Sequence, residues 1–147
     1  MKKNKKILLL MAAAILLLSV TLISCTIRSP YDEINDKIIV LFQQGKYSEA
    51  EKLAKEALPM TKEKFGEDHP KVAASLDTLA MIYKTRGKYG EAEPLYKKAL
   101  AIREKTLGPD HPDVVHELKN MVELYKAMGK DDEAKKLTTR IEKIQSH

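Results

Sequence analysis

The feature that most restricts the fold of this chain is an internal repeat of 42 residues. The segments GKYSEAEKLAKEAL, residues 45–58, and GKYGEAEPLYKKAL, residues 87–100, match at ten positions. A third, more divergent copy follows at the same spacing, with Gly129 in the place of Gly87. A strict period of this length over three copies predicts a solenoid, in which each repeat packs on its neighbours.

Each copy has the pattern of two amphipathic helices joined by a short turn. In the second copy, apolar residues recur at spacings of three and four over residues 70–86, and Gly87 is predicted to end this helix. A second helix is predicted over residues 90–107 on the same grounds. Its small residues Ala92 and Ala99 predict close packing, in the lower part of the usual range of about 8–10 Å between helix axes.

The repeat also predicts where the second helix of each copy begins. Ser48, Gly90 and Asp132 occupy equivalent positions, and Ser48 with Glu51 matches a capping box. Pro59 lies well inside the second helix of the first copy, where it removes a backbone hydrogen bond. We therefore expect a bend at this proline without a break in the helix.

The segment LGPDHPDVV could form either a reactive site or a bend in the chain. Asp110, His111 and Asp113 have a spacing that suggests a metal site or an acid–base pair, but the pattern recurs 42 residues earlier as FGEDHPKVA. A metal site has no reason to recur at each repeat junction without further ligands. The sequence favours a junction, in which Gly108 and its counterpart Gly66 are left-handed. A proline then opens the next helix and pushes the histidine before it out of helical geometry.

The composition fits one helical domain with a modest core. Of 147 residues, 44% are hydrophobic but only 5% are aromatic, so the core must consist mainly of Ala, Leu, Ile and Met. The formal net charge of +5 includes four lysines that precede the apolar N-terminal segment, and without them 22 basic residues balance 21 acidic ones. The body of the protein therefore lacks the basic patch that nucleic-acid binding requires.

The N-terminal segment MKKNKKILLLMAAAILLLSVTLISC has the form of an export signal, with a basic head and 17 apolar or small residues before Ser24. As a helix, this run would be about 25 Å long, short of a bilayer core of about 30 Å, so cleavage is favoured over anchoring. Its end, LISC, resembles the bacterial lipobox. That resemblance implies removal of residues 1–24, guided by Leu22, Ile23 and Ser24, and lipidation of Cys25.

Cys25 is the only cysteine of the chain, so it forms no internal disulfide, and lipidation explains an unpaired thiol in an exported protein. Residues 25–30 would then form a lipidated tether, of which the five residues after Cys25 span at most about 18 Å. Thr26 in the second mature position resembles lipoproteins released to the outer membrane, which predicts a location facing the periplasm. An uncleaved inner-membrane signal anchor and simple secretion are the alternatives.

The repeats also resemble a known family. The pattern GKYxEA, Tyr83 four residues before Gly87, and Ala99 seven residues after Ala92 are similar to the tetratricopeptide repeat. The 42-residue period and the segment LYKKALAIREKTLGPDHPDV resemble the repeats of kinesin light chain. The resemblance implies an all-α fold, a solenoid of three helical hairpins wound as a right-handed superhelix. It covers residues 31–147, as repeats of about 31–72, 73–114 and 115–147.

In this family, the first helices of successive repeats line a concave groove that holds a peptide from a partner protein. The resemblance therefore implies a protein or peptide partner and, by position, four groove residues in each copy. These are Asn35, Asp36, Ile39, Phe42, Asp77, Thr78, Met81, Lys84, Lys119, Asn120, Glu123 and Lys126. Asn120 matches an asparagine that the family commonly uses toward peptide backbone, whereas Thr78 departs from the pattern. A solvated helix face is the alternative for any one of these polar residues.

The residues offer no catalytic site. The sequence contains no Gly-rich phosphate loop, no nucleophile elbow and no histidine pair at the spacing of metal ligands, so no enzyme activity, cofactor or metal is predicted. It predicts instead a membrane-tethered scaffold or adaptor that binds a partner in the groove. The first alternative is a structural module that stacks through its solenoid ends, with itself as a homodimer or with another repeat protein. An enzyme is the second alternative.

Overall fold

The computed structural model describes residues 29–146, so the predicted signal peptide, its cleavage motif and Cys25 lie outside the described residues. Within that stretch the chain forms six α-helices and no β-strand, and the all-α prediction is confirmed. Residues Ile34–His147 form one compact unit. In chain order the helices are α1 (Pro30–Gln43), α2 (Tyr47–Phe65), α3 (Pro70–Thr85), α4 (Tyr89–Leu107), α5 (Pro112–Ala127) and α6 (Asp131–Gln145).

Helices adjacent in the chain pack on one another from α2 to α6, which gives the solenoid predicted from the repeat. Ala50 and Ala92, which are equivalent positions, are fully buried, and Ala134 is only 3% exposed. Ala99 is also fully buried. Alanines therefore occupy the helix contacts, as predicted for Ala92 and Ala99, because a small side chain lets two helix axes approach closely. Larger apolar side chains that fill the core include Leu76, Leu79, Ile82, Leu118 and Leu124.

The turn inside each repeat is fixed by a helix-ending motif. Arg86 is the C-cap of α3, and Gly87 after it has a φ of +73°, which a residue with a Cβ adopts only with strain. The amide of Lys88 donates to the carbonyl of Tyr83 at 2.9 Å, and the amide of Gly87 donates to the carbonyl of Lys84 at 3.0 Å. These two bonds define a Schellman motif, and equivalent pairs follow α1 and α5.

The turn between repeats has a different geometry. Gly108 has φ 93° and ψ 156°, and Gly66 has φ 90° and ψ 156°, so the predicted left-handed conformation is wrong at both. This extended region with positive φ is open essentially to glycine alone. Pro112 opens α5 as predicted, and His111 before it has φ −67° and ψ 144°, outside helical geometry. The Nδ1 atom of His111 accepts a hydrogen bond from the amide of Asp113 at 3.1 Å, so this histidine caps α5.

The starts of α2, α4 and α6 contradict the caps predicted at Ser48, Gly90 and Asp132. Each of these residues is the second residue of its helix, and the residue at the true N-cap makes no side-chain capping hydrogen bond. The Schellman turn already aligns the chain for the next helix, so each N-cap lies two residues earlier than the polar pattern suggests. α2 continues through Pro59 to Phe65, which confirms that this proline does not break the helix.

The first helix is more exposed than its counterparts. Val40 is 47% exposed, whereas Ile82 and Leu124 at the equivalent positions are fully buried. Lys37, which lies one helical turn before Val40, is also exposed. Among the described residues no earlier repeat covers this side of α1, and a solenoid end presents one such face to solvent. None of the helices of residues 29–146 is long and apolar enough to cross a membrane.

Candidate functional site

The residues predicted to form the groove lie on α1, α3 and α5. In each helix they are spaced so that they share one side, and the 42-residue period places them in register across the three helices. We call this strip the odd-helix face. Its residues are Asn35, Asp36, Ile39, Phe42, Asp77, Thr78, Met81, Lys84, Lys119, Asn120, Glu123 and Lys126.

The odd-helix face changes in character along the solenoid. On α1 it presents Ile39, which is 41% exposed, and the half-buried ring of Phe42, which meets the ring of Tyr47 edge-on at 5.2 Å. The four positions on α3 are half-buried. On α5, Lys119, Glu123 and Lys126 are exposed and Asn120 is half-buried. The first repeat therefore contributes apolar surface and the third contributes charge.

One contact joins the second and third repeats across this face. Lys84 Nζ donates a hydrogen bond to Glu123 Oε2 at 2.8 Å. This hydrogen bond and the lysine charge lower the pKa of Glu123. The side chain of Glu123 is 68% exposed, so the pair adds little stability. It does show that side chains of successive repeats meet on this face.

Asp77, one of the residues of the odd-helix face, is bound to another side chain. Its carboxylate accepts a hydrogen bond from Arg103 of α4, and Arg103 also donates to Glu117 of α5 at 2.8 Å. The Asp77 side chain is 19% exposed, and that of Glu117 is fully buried. The structure therefore gives Asp77 a role in joining three helices, which the groove prediction did not include.

Glu117 was not singled out by the sequence, and it is the most strongly perturbed carboxyl of the described chain. Burial raises the pKa of Glu117 to about 9, and the nearby Asp77 carboxylate adds to the rise while Arg103 opposes it. Its surroundings therefore favour the protonated form of Glu117. A signal was present in the sequence, because Glu117 lies between Val114 and Leu118 on a face that is otherwise apolar.

The first repeat junction has a neutral pair where the second has charges. Thr61 and Ser75 lie 42 residues before Arg103 and Glu117, and their hydroxyl oxygens are 3.4 Å apart. Thr61 is 1% exposed and Ser75 is 8% exposed, so this pair is buried as well. The two junctions therefore use the same packing positions with different chemistry.

A second set of contacts recurs at both junctions and holds successive repeats together. Glu51 on α2 binds Lys88, which follows α3, at 3.0 Å, and it also binds Lys55 and Arg86. Burial alone would raise the pKa of Glu51, but the hydrogen bonds and charges of these cations hold it at about 2. Glu51 was predicted to complete a capping box, and it instead spans the first junction.

The equivalent glutamate in the second repeat makes the same kind of contact. Glu93 on α4 binds Lys97 at 2.6 Å and Lys130, which follows α5, at 3.0 Å, and it accepts a hydrogen bond from the Tyr125 hydroxyl at 3.2 Å. Hydrogen bonds from the two lysines lower the pKa of Glu93 to about 2. At the corresponding position of the third repeat the chain has Lys135.

The cluster of Asp110, His111 and Asp113 is a helix junction in the structure. His111 caps α5, and its side chain lies 3.9 Å from the Asp113 carboxylate. Across residues 29–146, no three His, Cys, Asp or Glu side chains are grouped as metal ligands would be.

The comparison with protein families decides the classification. The family model described as tetratricopeptide repeat matches residues 34–105 and 79–145, which together span well over half of the chain. The chain belongs to the tetratricopeptide-repeat family. Folds of this family generally mediate protein–protein interaction, with the concave side of the solenoid as the binding surface, and they generally act as scaffolds without enzymatic activity.

Solved structures of similar proteins support the resemblance to kinesin light chains. BtubC (BKLC) from P. vanneervenii is 25% identical with a TM-score of 0.72, over 79% of this chain and 46% of that one. A Podosopora anserina protein with nearly identical TPR-like repeats, described as a kinesin light chain, is 26% identical with a TM-score of 0.71, over 82% of this chain and 58% of that one. A second structure of the Podosopora anserina protein is 27% identical with a TM-score of 0.70, over 78% of this chain and 54% of that one.

This tetratricopeptide-repeat chain spans about half the length of the solved structures it matches, from 46% to 58%. The comparison with curated proteins gave no significant match.

Proposed function

We propose that this protein is a membrane-tethered adaptor that binds a segment of a partner protein on the odd-helix face. The observation that carries the proposal is the continuity of this face between the second and third repeats, where Lys84 and Glu123 meet at 2.8 Å. Exposed Lys119 and Lys126 on α5 and exposed Ile39 on α1 offer charge and apolar surface to a partner.

The shifted carboxyls of the chain support a binding role over catalysis. Strongly shifted pKa values often mark catalytic groups. Here Glu51 and Glu93 are held by lysines across the repeat junctions, and Glu117 is enclosed by Asp77 and Arg103. Each shift therefore follows from burial or from structural contacts within and between the repeats.

The membrane tether is part of the proposal and rests on the sequence LISC. Lipidation of Cys25 would attach the chain to the periplasmic side of the outer membrane. Helix α1 begins at Pro30, five residues later, so the folded part would lie close to the bilayer. Two or more acyl chains on one residue are enough for stable membrane attachment.

Capture from cells tests the proposed binding face. A variant with Lys84, Lys119 and Asn120 all changed to alanine removes polar groups of the odd-helix face. A matched control changes Lys52, Lys136 and Thr139, which are exposed on α2 and α6, to alanine. After crosslinking in cells and purification, we expect the wild type and the control to capture the same protein and the odd-helix variant to lose it. Equal capture by all three forms would exclude the face.

The tether has an independent test. Cys25→Ala should release the protein from the membrane fraction and change its mobility on gels. Cys25→Ala with unchanged membrane attachment and mobility would exclude lipidation, and it would leave the proposed binding face unaffected.

A further inference from the structure

The junction between the second and third repeats encloses two carboxylates around one guanidinium. Arg103 donates one hydrogen bond from Nη2 to Asp77 Oδ2 and another from Nη1 to Glu117 Oε2, so each carboxyl group uses one oxygen. The remaining oxygens, Asp77 Oδ1 and Glu117 Oε1, are buried and have no hydrogen-bond partner among the heavy atoms of the described chain. Buried oxygens of this kind are costly unless one of them carries a proton that the other can accept.

A single proton on Glu117 resolves this arrangement. A proton on Glu117 would let this residue donate a hydrogen bond to Asp77, and Arg103 would then balance one negative charge with one positive charge. Burial raises the pKa of Glu117 to about 9, the Asp77 carboxylate adds to the rise, and Arg103 opposes it. Loss of the proton would leave two buried negative charges against one positive charge, which an interior does not tolerate without rearrangement.

The groups that act on Glu117 come from three helices. Asp77 is on α3, and Arg103 and Tyr96 are on α4. On α5 itself, Asp113 acts on Arg103, and Glu123 acts on Tyr96. Burial raises the pKa of Tyr96, and the acidic groups of Glu117, Asp77 and Glu123 add to the rise, so this phenol stays neutral. The helix on the other side of α5, α6, supplies none of these groups. Among these groups, Glu117 is the buried carboxyl whose pKa is raised by burial and by Asp77, so we assign the proton lost as the pH rises to Glu117.

We propose that the junction between the second and third repeats is a proton-dependent joint, closed when Glu117 is protonated and released when that proton is lost. Release would separate α5 from α3 and α4. Because α5 carries the third part of the odd-helix face, release would also change the alignment of that face. The joint is a property of the fold and does not depend on the identity of the partner.

The first junction provides a control within the same molecule. Thr61 and Ser75 occupy the positions of Arg103 and Glu117 and carry no charge at any relevant pH. Opening of the first junction should therefore not follow the protonation of Glu117. The triple substitution Asp77→Asn, Arg103→Thr and Glu117→Ser gives the second junction the uncharged residue types found 42 positions earlier and should remove its proton dependence.

Hydrogen–deuterium exchange of the full chain in detergent, read by mass spectrometry, tests the joint. Exchange is measured between pH 5.5 and 8.5 and corrected for the intrinsic pH dependence of amide exchange. Opening that releases one proton becomes about tenfold more favourable per pH unit between the two pKa values. We expect protection in α5 and α6 to fall by up to this factor per unit, with a much smaller change in α2.

Two variants make the outcome decisive. Glu117→Gln keeps the shape of the side chain without a titrating proton, so protection in α5 and α6 should become independent of pH. If this variant does not fold, the triple substitution to Asn, Thr and Ser makes the same prediction. An equal pH dependence in wild type and a folded variant, or an equal loss of protection at both junctions, would overturn the proposal.

Discussion

Glu93 on α4 accepts a hydrogen bond from Lys130 at 3.0 Å, and the residues 42 positions earlier repeat the contact at the same distance. The lysine follows the glycine that ends the first helix of the next repeat, so the pair spans a junction. The contact also places the lysine close to a tyrosine ring, with Lys130 5.6 Å from the centre of Tyr125. A pair that recurs at both junctions is part of how one repeat recognises the next.

The third repeat has the opposite charge at the position of this glutamate, which predicts whether the end of the solenoid self-associates. Lys135 stands where Glu51 and Glu93 stand in the earlier copies. If a second copy continued the solenoid, its Lys46 would lie beside Lys135, and two like charges would repel. We expect sedimentation velocity to show no concentration-dependent association through this end, and Lys135→Glu to increase association. Strong wild-type self-association that Lys135→Glu leaves unchanged would contradict this.

The shifted pKa values of three glutamates predict that the folded chain is most stable near pH 5. Lysines hold the pKa values of Glu51 and Glu93 at about 2, below the 4.5 of the unfolded chain, so their contribution is lost as the pH falls below 4.5. The pKa of Glu117 is raised to about 9, so its contribution is complete below pH 4.5 and is lost as the pH rises toward 9. Urea unfolding across this range should show stability falling on both sides.

Two variants separate the two sides of that profile. Glu117→Gln should flatten the alkaline side and leave the acid side in place. Glu51→Gln with Glu93→Gln should flatten the acid side, because an amide cannot gain charge-assisted hydrogen bonds when the pH rises. If Glu117→Gln leaves the alkaline side unchanged, the assignment of that side to the buried carboxyl is wrong.

Two glycines of the second repeat predict opposite effects of the same substitution. Gly87 has a φ of +73°, so Gly87→Ala should lower the free energy of unfolding by about 1–2 kcal/mol. Gly90 is inside α4, has no positive φ, and an added Cβ would meet no atom within 4 Å beyond its chain neighbours and the backbone of its own helix. Gly90→Ala should therefore raise the free energy of unfolding by about 0.4–1 kcal/mol. Chemical denaturation checks both, and equal effects would exclude the strain argument.

The helix cap formed by His111 predicts which polar residues of the junction contribute to stability. His111→Ala removes the acceptor for the Asp113 amide and should cost about 1 kcal/mol of stability, as loss of a cap does. His111→Asn retains an acceptor and should restore most of the loss. His116, which is exposed on α5, provides the control, and His116→Ala should change little. A melting temperature that rises with added zinc would instead support a metal site.

The repeat predicted most of the fold because it encodes local physics. The glycine after each first helix and the proline at each junction act through backbone geometry, which spacing alone reveals. The predicted caps were wrong because Ser48 is chemically suited to a cap that the preceding turn makes unnecessary. The predicted conformation of Gly108 was wrong because two regions with positive φ are open to glycine, and only the path of the following chain selects one of them.

The chemistry between repeats was harder to predict. Asp77 was assigned to the groove by register, yet Arg103 from the next helix in the chain reaches it and turns it to a structural role. Glu117 is an ionisable residue on an apolar face, which usually signals a buried partner, but its partners come from two other helices. Such contacts depend on three-dimensional packing that a linear pattern does not specify.

Site-specific photo-crosslinking in living cells tests the central claim most directly. A photo-reactive amino acid replaces Asn120 on the odd-helix face or, in a separate strain, Lys136 on the exposed side of α6. We predict one defined crosslinked product, containing a different protein, from the Asn120 position and none from the Lys136 position. Crosslinks from Lys136 alone, or only to a second copy of this chain, would contradict the proposed binding face.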